Sequence, residues 1–163
     1  MDFPKKEDYT LGMNTSIEHV LNEMKELEQN LGVISTSTSD KPEAAAIYFS
    51  YDEHLNIYFA TRKASRKYKN ISVNPNAAFV IYNAELLKTI QIEGVVSVVE
   101  DPYEQVVHYT QLVELAVKNN PLPPIDQLGE SEIMFLKLTP AWARVGNFEI
   151  TRQGDVFEEV TNN

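Results

Sequence analysis

Five basic side chains, Arg62, Lys63, Arg66, Lys67 and Lys69, fall within eight residues of the stretch IYFATRKASRKYKNISVNP, and no carboxylate lies between Glu53 and Glu85. The chain as a whole has a formal net charge of -10, so the stretch is a local reversal of sign. Its residue types suit an anion. Ser65 is placed to cap a short helix that starts just after a strand ending in Thr61. The free amides of that helix's first turn, the hydroxyls of Thr61 and Ser65, and the cations of Arg66 and Lys67 can converge on one point. Phosphate is the natural guest of such a place, because a helix N-terminus offers donors and a favourable dipole while Arg adds a fork of N–H groups. A solvated, positively charged turn accounts for the same spacing equally well. The pattern GxxxxGK[ST] is absent, which disfavours a nucleotide triphosphatase.

Other chemistry is thinly represented. The sequence has no cysteine, which excludes disulfides, thiolate nucleophiles, iron–sulfur clusters and Cys-type zinc. His19, His54 and His108 are scattered over a first helix, a turn and a last long helix without an H-x-x-x-H pair, so they do not read as a metal site. His19 and His54 are expected to be exposed. No G-x-S-x-G is present, and STSTSD at 35–40 reads as a polar strand edge and turn. Asp101, Pro102 and Glu104 read as N-cap, N1 and N3 of a helix instead of a metal cluster. Tyr48, Tyr51, Tyr58 and Tyr82 are expected to pack against a barrel, with one or two bordering a ligand. No side chain stands out as a general base, so no catalytic residue is assigned.

These residues need elements to position them. Thr15 and Glu18 have capping-box spacing ahead of Ile17, Val20, Leu21, Met24, Leu27 and Leu31, predicting a helix over 15–31 that stops at Gly32. Three strands, 32–38, 44–50 and 56–61, should form a meander. A short helix over 65–73 precedes a strand at 77–82, with Tyr68 and Ile71 on its buried side. KTIQIEGVVSVVED is the fifth and longest strand, with Gly94 at a bulge or bend, and a helix follows over 102–118. EIMFLKL is a sixth, buried strand, after which the chain reads as an irregular or short-strand tail. The whole suits a mainly β fold, a small six-stranded antiparallel barrel of Greek-key type with helices at its edges. One domain over 1–163 is expected, with an N-terminal arm at 1–14 and a C-terminal tail at 146–163.

The order strand IYFAT, then RKA, then SRK on a helix, then NPNAAFVIY, then a long strand with IEG, resembles the FMN-binding split barrels related to pyridoxamine 5'-phosphate oxidase. The likeness runs from about Leu31 to Asp101, with a further match around Phe135 to Val145. It implies a homodimer with FMN at the subunit interface and a small-molecule substrate. It implies that Thr61, Ser65, Arg66 and Lys67 hold the flavin phosphate with Ala60 beside them, and that backbone around Ala46, Ile47 and Tyr48 lies along the ring. Aligned on IEG, Thr89 and Gln91 take the places of a Gln and an Arg in the oxidase pattern, and either could reach the cofactor. Trp142 fits equally a ring stacked from the partner subunit and a core anchor. Two departures stand out. Ala45 occupies the place of a flavin-contacting Arg, and LKLTPAWARVGNFEITRQGD lacks the oxidases' C-terminal substrate-holding pattern, although Trp142 and Arg144 are present.

The implied activity is that of an FMN-dependent oxidoreductase; F420 or haem in the same cleft, and a non-catalytic binding or storage module, are the alternatives. The acidic balance speaks against nucleic acid and anionic lipid as partners, and no run of about 18 apolar residues spans a membrane. A start without an apolar signal core and a cysteine-free composition make the cytoplasm the expected compartment.

Overall fold

The computed structural model describes residues 16–119, 132–148 and 157–161. The first element, α1 (Ile17–Leu27), is capped by Ser16, whose hydroxyl accepts from the His19 amide at 3.2 Å. The expected cap, Thr15, lies outside the described residues. The helix also ends earlier than its apolar spacing predicts. Glu28 adopts a left-handed conformation (φ 47°), and Leu31 already belongs to a strand. Gly32 is thus no helix terminator; a Cβ there would overlap the Phe79 ring, so close packing within the sheet explains the glycine.

The strands are β1 (Leu31–Thr38), β2 (Lys41–Tyr48), the two-residue β3 (Ser50–Tyr51), β4 (Ile57–Arg62), β5 (Asn76–Asn83), β6 (Lys88–Val98), β7 (Ile133–Asn147) and β8 (Phe157–Thr161). They form one antiparallel sheet in the order β2-β1-β5-β6-β7-β4-β3, with β8 on β7. The sheet curls into the half-barrel of a split-barrel fold, with eight strands among the described residues where six were expected. The expected meander holds only for β1 and β2. β4 crosses over to pair with β7, which places β5, β6, β7 and β4 in Greek-key order.

Two irregularities shape the long strands. The register of β6 against β7 shifts between Glu93 and Gly94, where the bend was expected. A Cβ on Gly94 would overlap the Thr139 carbonyl, so only glycine lets the strands approach there. β7 does not stop at Thr139 and Pro140 but runs on to Asn147. Pro140 is accommodated because it sits opposite Gly94 at the bulge, where the ladder is already interrupted and a missing N–H is tolerated. The segment expected as a tail from 146 onward contributes the end of β7 and all of β8.

The concave face of the sheet carries the core: Ile34, Phe49, Phe59, Phe79, Ile90, Ile92, Leu136 and Leu138 are all nearly inaccessible. Val20, Met24 and Leu27 of α1 join the same cluster, and Lys88 of β6 ties that helix down through Glu23 (2.8 Å) and Glu26 (2.7 Å). The second helix, α2 (Arg66–Val73), contributes Ile71 to the core and packs on β1, where Asn70 reaches Thr36. The third, α3 (Pro102–Asn119), starts on Asp101, whose carboxylate accepts from the amides of Tyr103 (2.7 Å) and Glu104 (2.9 Å) as expected. It covers the convex side of β4 through His108 and Leu112, one turn apart, near Tyr58 and Phe135. Among the described residues no helix is long and apolar enough to cross a membrane.

Candidate functional site

The end of β4 and the start of α2 bring three side chains of the basic stretch together. Ser65 is the N-cap, accepting from the Tyr68 amide at 3.2 Å, and its hydroxyl lies 3.1 Å from that of Thr61. Lys67, one helical position beyond Arg66, turns back to place its ammonium 3.4 Å from the Thr61 hydroxyl. Burial pushes the Lys67 amine below its ordinary value, against the opposing pull of the Glu43 carboxylate. A cation held partly out of water beside two hydroxyls and a helix N-terminus is a set of donors with few acceptors. An oxyanion such as phosphate has the acceptors that such a set of donors lacks.

The other four cations do not join them. Lys63 is spent on Glu132, both of whose oxygens lie 2.9 Å from its ammonium. Arg62 and Lys69 are exposed. Arg66 is 84% exposed and turns its Nε toward Glu43 at 3.4 Å. The stretch is free of carboxylates in sequence, yet the fold delivers two to it, Glu43 from β2 and Glu132 from the start of β7. Glu43 is held in place by Asn70, whose side-chain amide donates to Thr36 (3.2 Å) and to the Glu43 carboxylate (3.3 Å). No local signal marks Glu43, because its meeting with α2 depends on the pairing of β2 with β1, where Glu43 stands opposite Thr36.

The remaining candidates lie elsewhere. Ala60 precedes Thr61 on β4 and is opposite Phe135. Ala46 is exposed, Ile47 is buried in the core and Tyr48 is partly buried; they begin three residues beyond Glu43, about 10 Å along β2. Thr89 and Gln91 share the convex face of β6. Thr89 is buried with its hydroxyl donating to the Ile81 carbonyl (2.9 Å), and Gln91 accepts from Arg144 (2.5 Å). Trp142 is partly exposed on the same face of β7; its indole N–H donates to Glu159 (3.4 Å), and the Arg144 guanidinium lies 5.3 Å from its ring. Thr61 is opposite Met134 and Gln91 opposite Arg144, ten positions further along β7. At about 3.3 Å per residue these groups are on the order of 30 Å apart along the strand. Within one chain the structure does not bring them together.

A second polar cluster, missed by sequence reasoning, lies between α3 and the convex side of β4. The Tyr58 hydroxyl is 2.9 Å from Asp52 and 2.8 Å from Glu104, and Lys137 reaches Glu104 at 3.1 Å. The His108 ring stacks on Tyr58 with centroids 3.4 Å apart. Its Nδ1 is 3.2 Å from the Ser50 hydroxyl and 3.1 Å from Gln111 Oε1; an acceptor-only oxygen there requires Nδ1 to carry the proton. Burial and the Glu104 and Asp52 carboxylates push the Tyr58 phenol far above its ordinary value. Burial also pushes the His108 imidazole down, although Gln111 and the two carboxylates pull the other way. Hydrogen bonding from Tyr58 and then Lys137 holds Glu104 low, and Asp52, despite partial burial, is lowered by Asn56, Tyr58 and the His54 amide. The adjoining void is only about 10 Å³, room for a single water. Among the described residues, no group of three or more His, Asp or Glu is arranged to hold a metal ion.

Comparison with known proteins gives this geometry a family context. The family model for pyridoxamine 5'-phosphate oxidase matches residues 20–145. No curated protein sequence matches. Among solved structures, General Stress Protein 26 from Bacillus anthracis str. Sterne is similar at 25% identity and a TM-score of 0.58, covering 78% of this chain and 93% of its own. PhzG from Burkholderia lata 383, solved in complex with tetrahydrophenazine-1-carboxylic acid, is similar at 17% identity and a TM-score of 0.60, covering 100% and 98%. A heme binding protein from Mycobacterium smegmatis shares the fold at 13% identity and a TM-score of 0.67, covering 91% of this chain and 59% of its own.

Proposed function

Because the chain belongs to the pyridoxamine 5'-phosphate oxidase family, we propose that it is an FMN-binding flavoprotein, an oxidoreductase acting on a small molecule, with the flavin phosphate seated at the junction of β4 and α2. The observation that carries this reading is the convergence of the Thr61 and Ser65 hydroxyls and the Lys67 ammonium at the N-terminus of α2. Bound flavin supplies the redox chemistry, accepting a hydride or electrons at its ring. The chain's own residues do the rest: the cradle anchors the phosphate, and β2 from Ala46 to Tyr48 lies within reach of a ligand extending from that anchor.

A homodimer belongs to the proposal. Thr89, Gln91 and Trp142 are too far along the sheet from Thr61 to touch the same small ligand in one chain, whereas a second copy could supply them. Support comes from the convex face of β1 and β5, where Leu31 (50% exposed), Val33 (39%) and Tyr82 (53%) present apolar surface to a partner. The cytoplasm is the proposed compartment, in line with a chain that lacks cysteine.

The test is uptake of FMN by the purified protein, followed by absorption after removal of free flavin. Retained flavin at one per chain is expected. A protein that retains none contradicts the proposal, and a Soret band without flavin favours a haem-type ligand instead. Reduction of the bound flavin by a nicotinamide cofactor separates an oxidoreductase from a carrier.

A further inference from the structure

The carboxylate that the fold delivers to the basic stretch bears on how the anion seat works. Glu43 is the anchored partner of its ion pair: its side chain is only 18% exposed and Asn70 fixes one oxygen, whereas Arg66 is 84% exposed. Its charge also acts on Lys67. The seat therefore has one cation in place, Lys67, and a neighbouring one, Arg66, that a built-in anion holds. An oxyanion with two negative charges meets the fixed Glu43 carboxylate as a like charge, and it can use Arg66 only by drawing that guanidinium off Glu43.

We propose that Glu43 is an intramolecular rival of the bound phosphate: the two compete for the Arg66 guanidinium, and Glu43 yields it as phosphate binds. The proposal rests on the anion-seat reading above and adds the residue that sets its affinity. Glu43 thereby keeps the seat from holding every phosphate-bearing small molecule tightly, and ligands with further contacts beyond the phosphate are favoured over phosphate alone.

The experiment measures binding of inorganic phosphate and of FMN to the full chain, in the wild type and in Glu43→Gln, Arg66→Ala and the double variant. Gln retains an oxygen for Asn70, so the docking of α2 is preserved. Glu43→Gln should tighten both ligands by roughly two- to fivefold, the scale of a partly exposed ion pair, and the gain should shrink in the Arg66→Ala background. An unchanged or weaker affinity overturns the proposal, as does a gain that persists undiminished without Arg66. A second measurement needs no variant at position 43: the Arg66 Nε–H resonance of the wild type, identified by its loss in Arg66→Ala, should shift saturably as inorganic phosphate is added. A resonance that stays fixed while phosphate binds overturns the proposal but leaves the seat intact. If neither the wild type nor Glu43→Gln takes up phosphate or FMN, the seat itself is wrong and both readings fall.

Discussion

Strand β4 serves two polar clusters that differ in kind. At its end, Thr61 joins Ser65 and Lys67 in a group rich in donors, where a half-buried ammonium bonds to a hydroxyl and feels the Glu43 carboxylate without bonding to it. Three residues earlier and on the other face, Tyr58 joins Asp52, Glu104, His108 and Lys137 in a group whose charges answer one another. The first has hydrogen-bonding capacity left for something that is not protein. The second is closed, its void holds one water at most, and it fastens α3 to the sheet. Perturbed ionisation occurs in both, so a shifted pKa alone does not tell them apart; the balance of donors to acceptors does.

This contrast is sharpest when one residue is removed from each cluster. Lys67→Ala should weaken FMN binding by about 1–3 kcal/mol, roughly five- to 150-fold by titration, because a charge-assisted contact is lost. Its thermal midpoint should barely move, since the cation is partly desolvated and gains little from hydroxyls alone. Tyr58→Phe should do the reverse. It leaves Asp52 and Glu104 without their shared donor and should lower stability by about 1–2 kcal/mol in chemical denaturation, with FMN affinity unchanged. A Tyr58→Phe protein of normal stability but poor FMN binding would erase the distinction between the clusters.

The smallest effect is expected from pH. His108 is lowered in the folded state, so as pH falls the unfolded chain takes up a proton first. Its contribution is fully present above the ordinary histidine value of about 6.5 and is lost as pH drops through the folded value. Asp52 and Glu104 are also lowered and act in the same direction in a more acidic window, below about 4. Denaturation midpoints should therefore decline from pH 7 toward pH 5, and His108→Gln should flatten that part of the profile. A wild-type profile that rises on acidification would show that the imidazole is charged in the folded state.

The two clusters also differ in how far the sequence reveals them. Thr61, Ser65 and Lys67 fall within seven residues, so a strand end and a helix cap suffice to bring them together. Glu43 reaches the same place only through strand pairing, and the Tyr58 cluster draws on β4, α3, β7 and the turn at Asp52, which no periodicity connects. Strand identities followed from β-branched and aromatic runs, but pairing did not: a turn-like YDEHLN looks the same whether β4 continues a meander or crosses to β7. The sixth strand reads from sequence as ending after EIMFLKL, because the bulge opposite Gly94 that carries β7 on through Pro140 is a property of two strands together. The end of α1 was misplaced because Glu28 in a left-handed conformation carries no compositional signal, while Gly32, which does, serves the packing of Phe79.

The central claim is that the junction of β4 and α2 seats the phosphate of a flavin. A crystal structure grown with FMN tests it most directly. The account predicts phosphate oxygens within hydrogen-bonding distance of the Thr61 and Ser65 hydroxyls and the Lys67 ammonium, with the ring running toward Ala46 and Tyr48 and a second copy bringing Gln91 to it. Phosphate bound at any other place, with Ser65 and Lys67 facing only water, would contradict it.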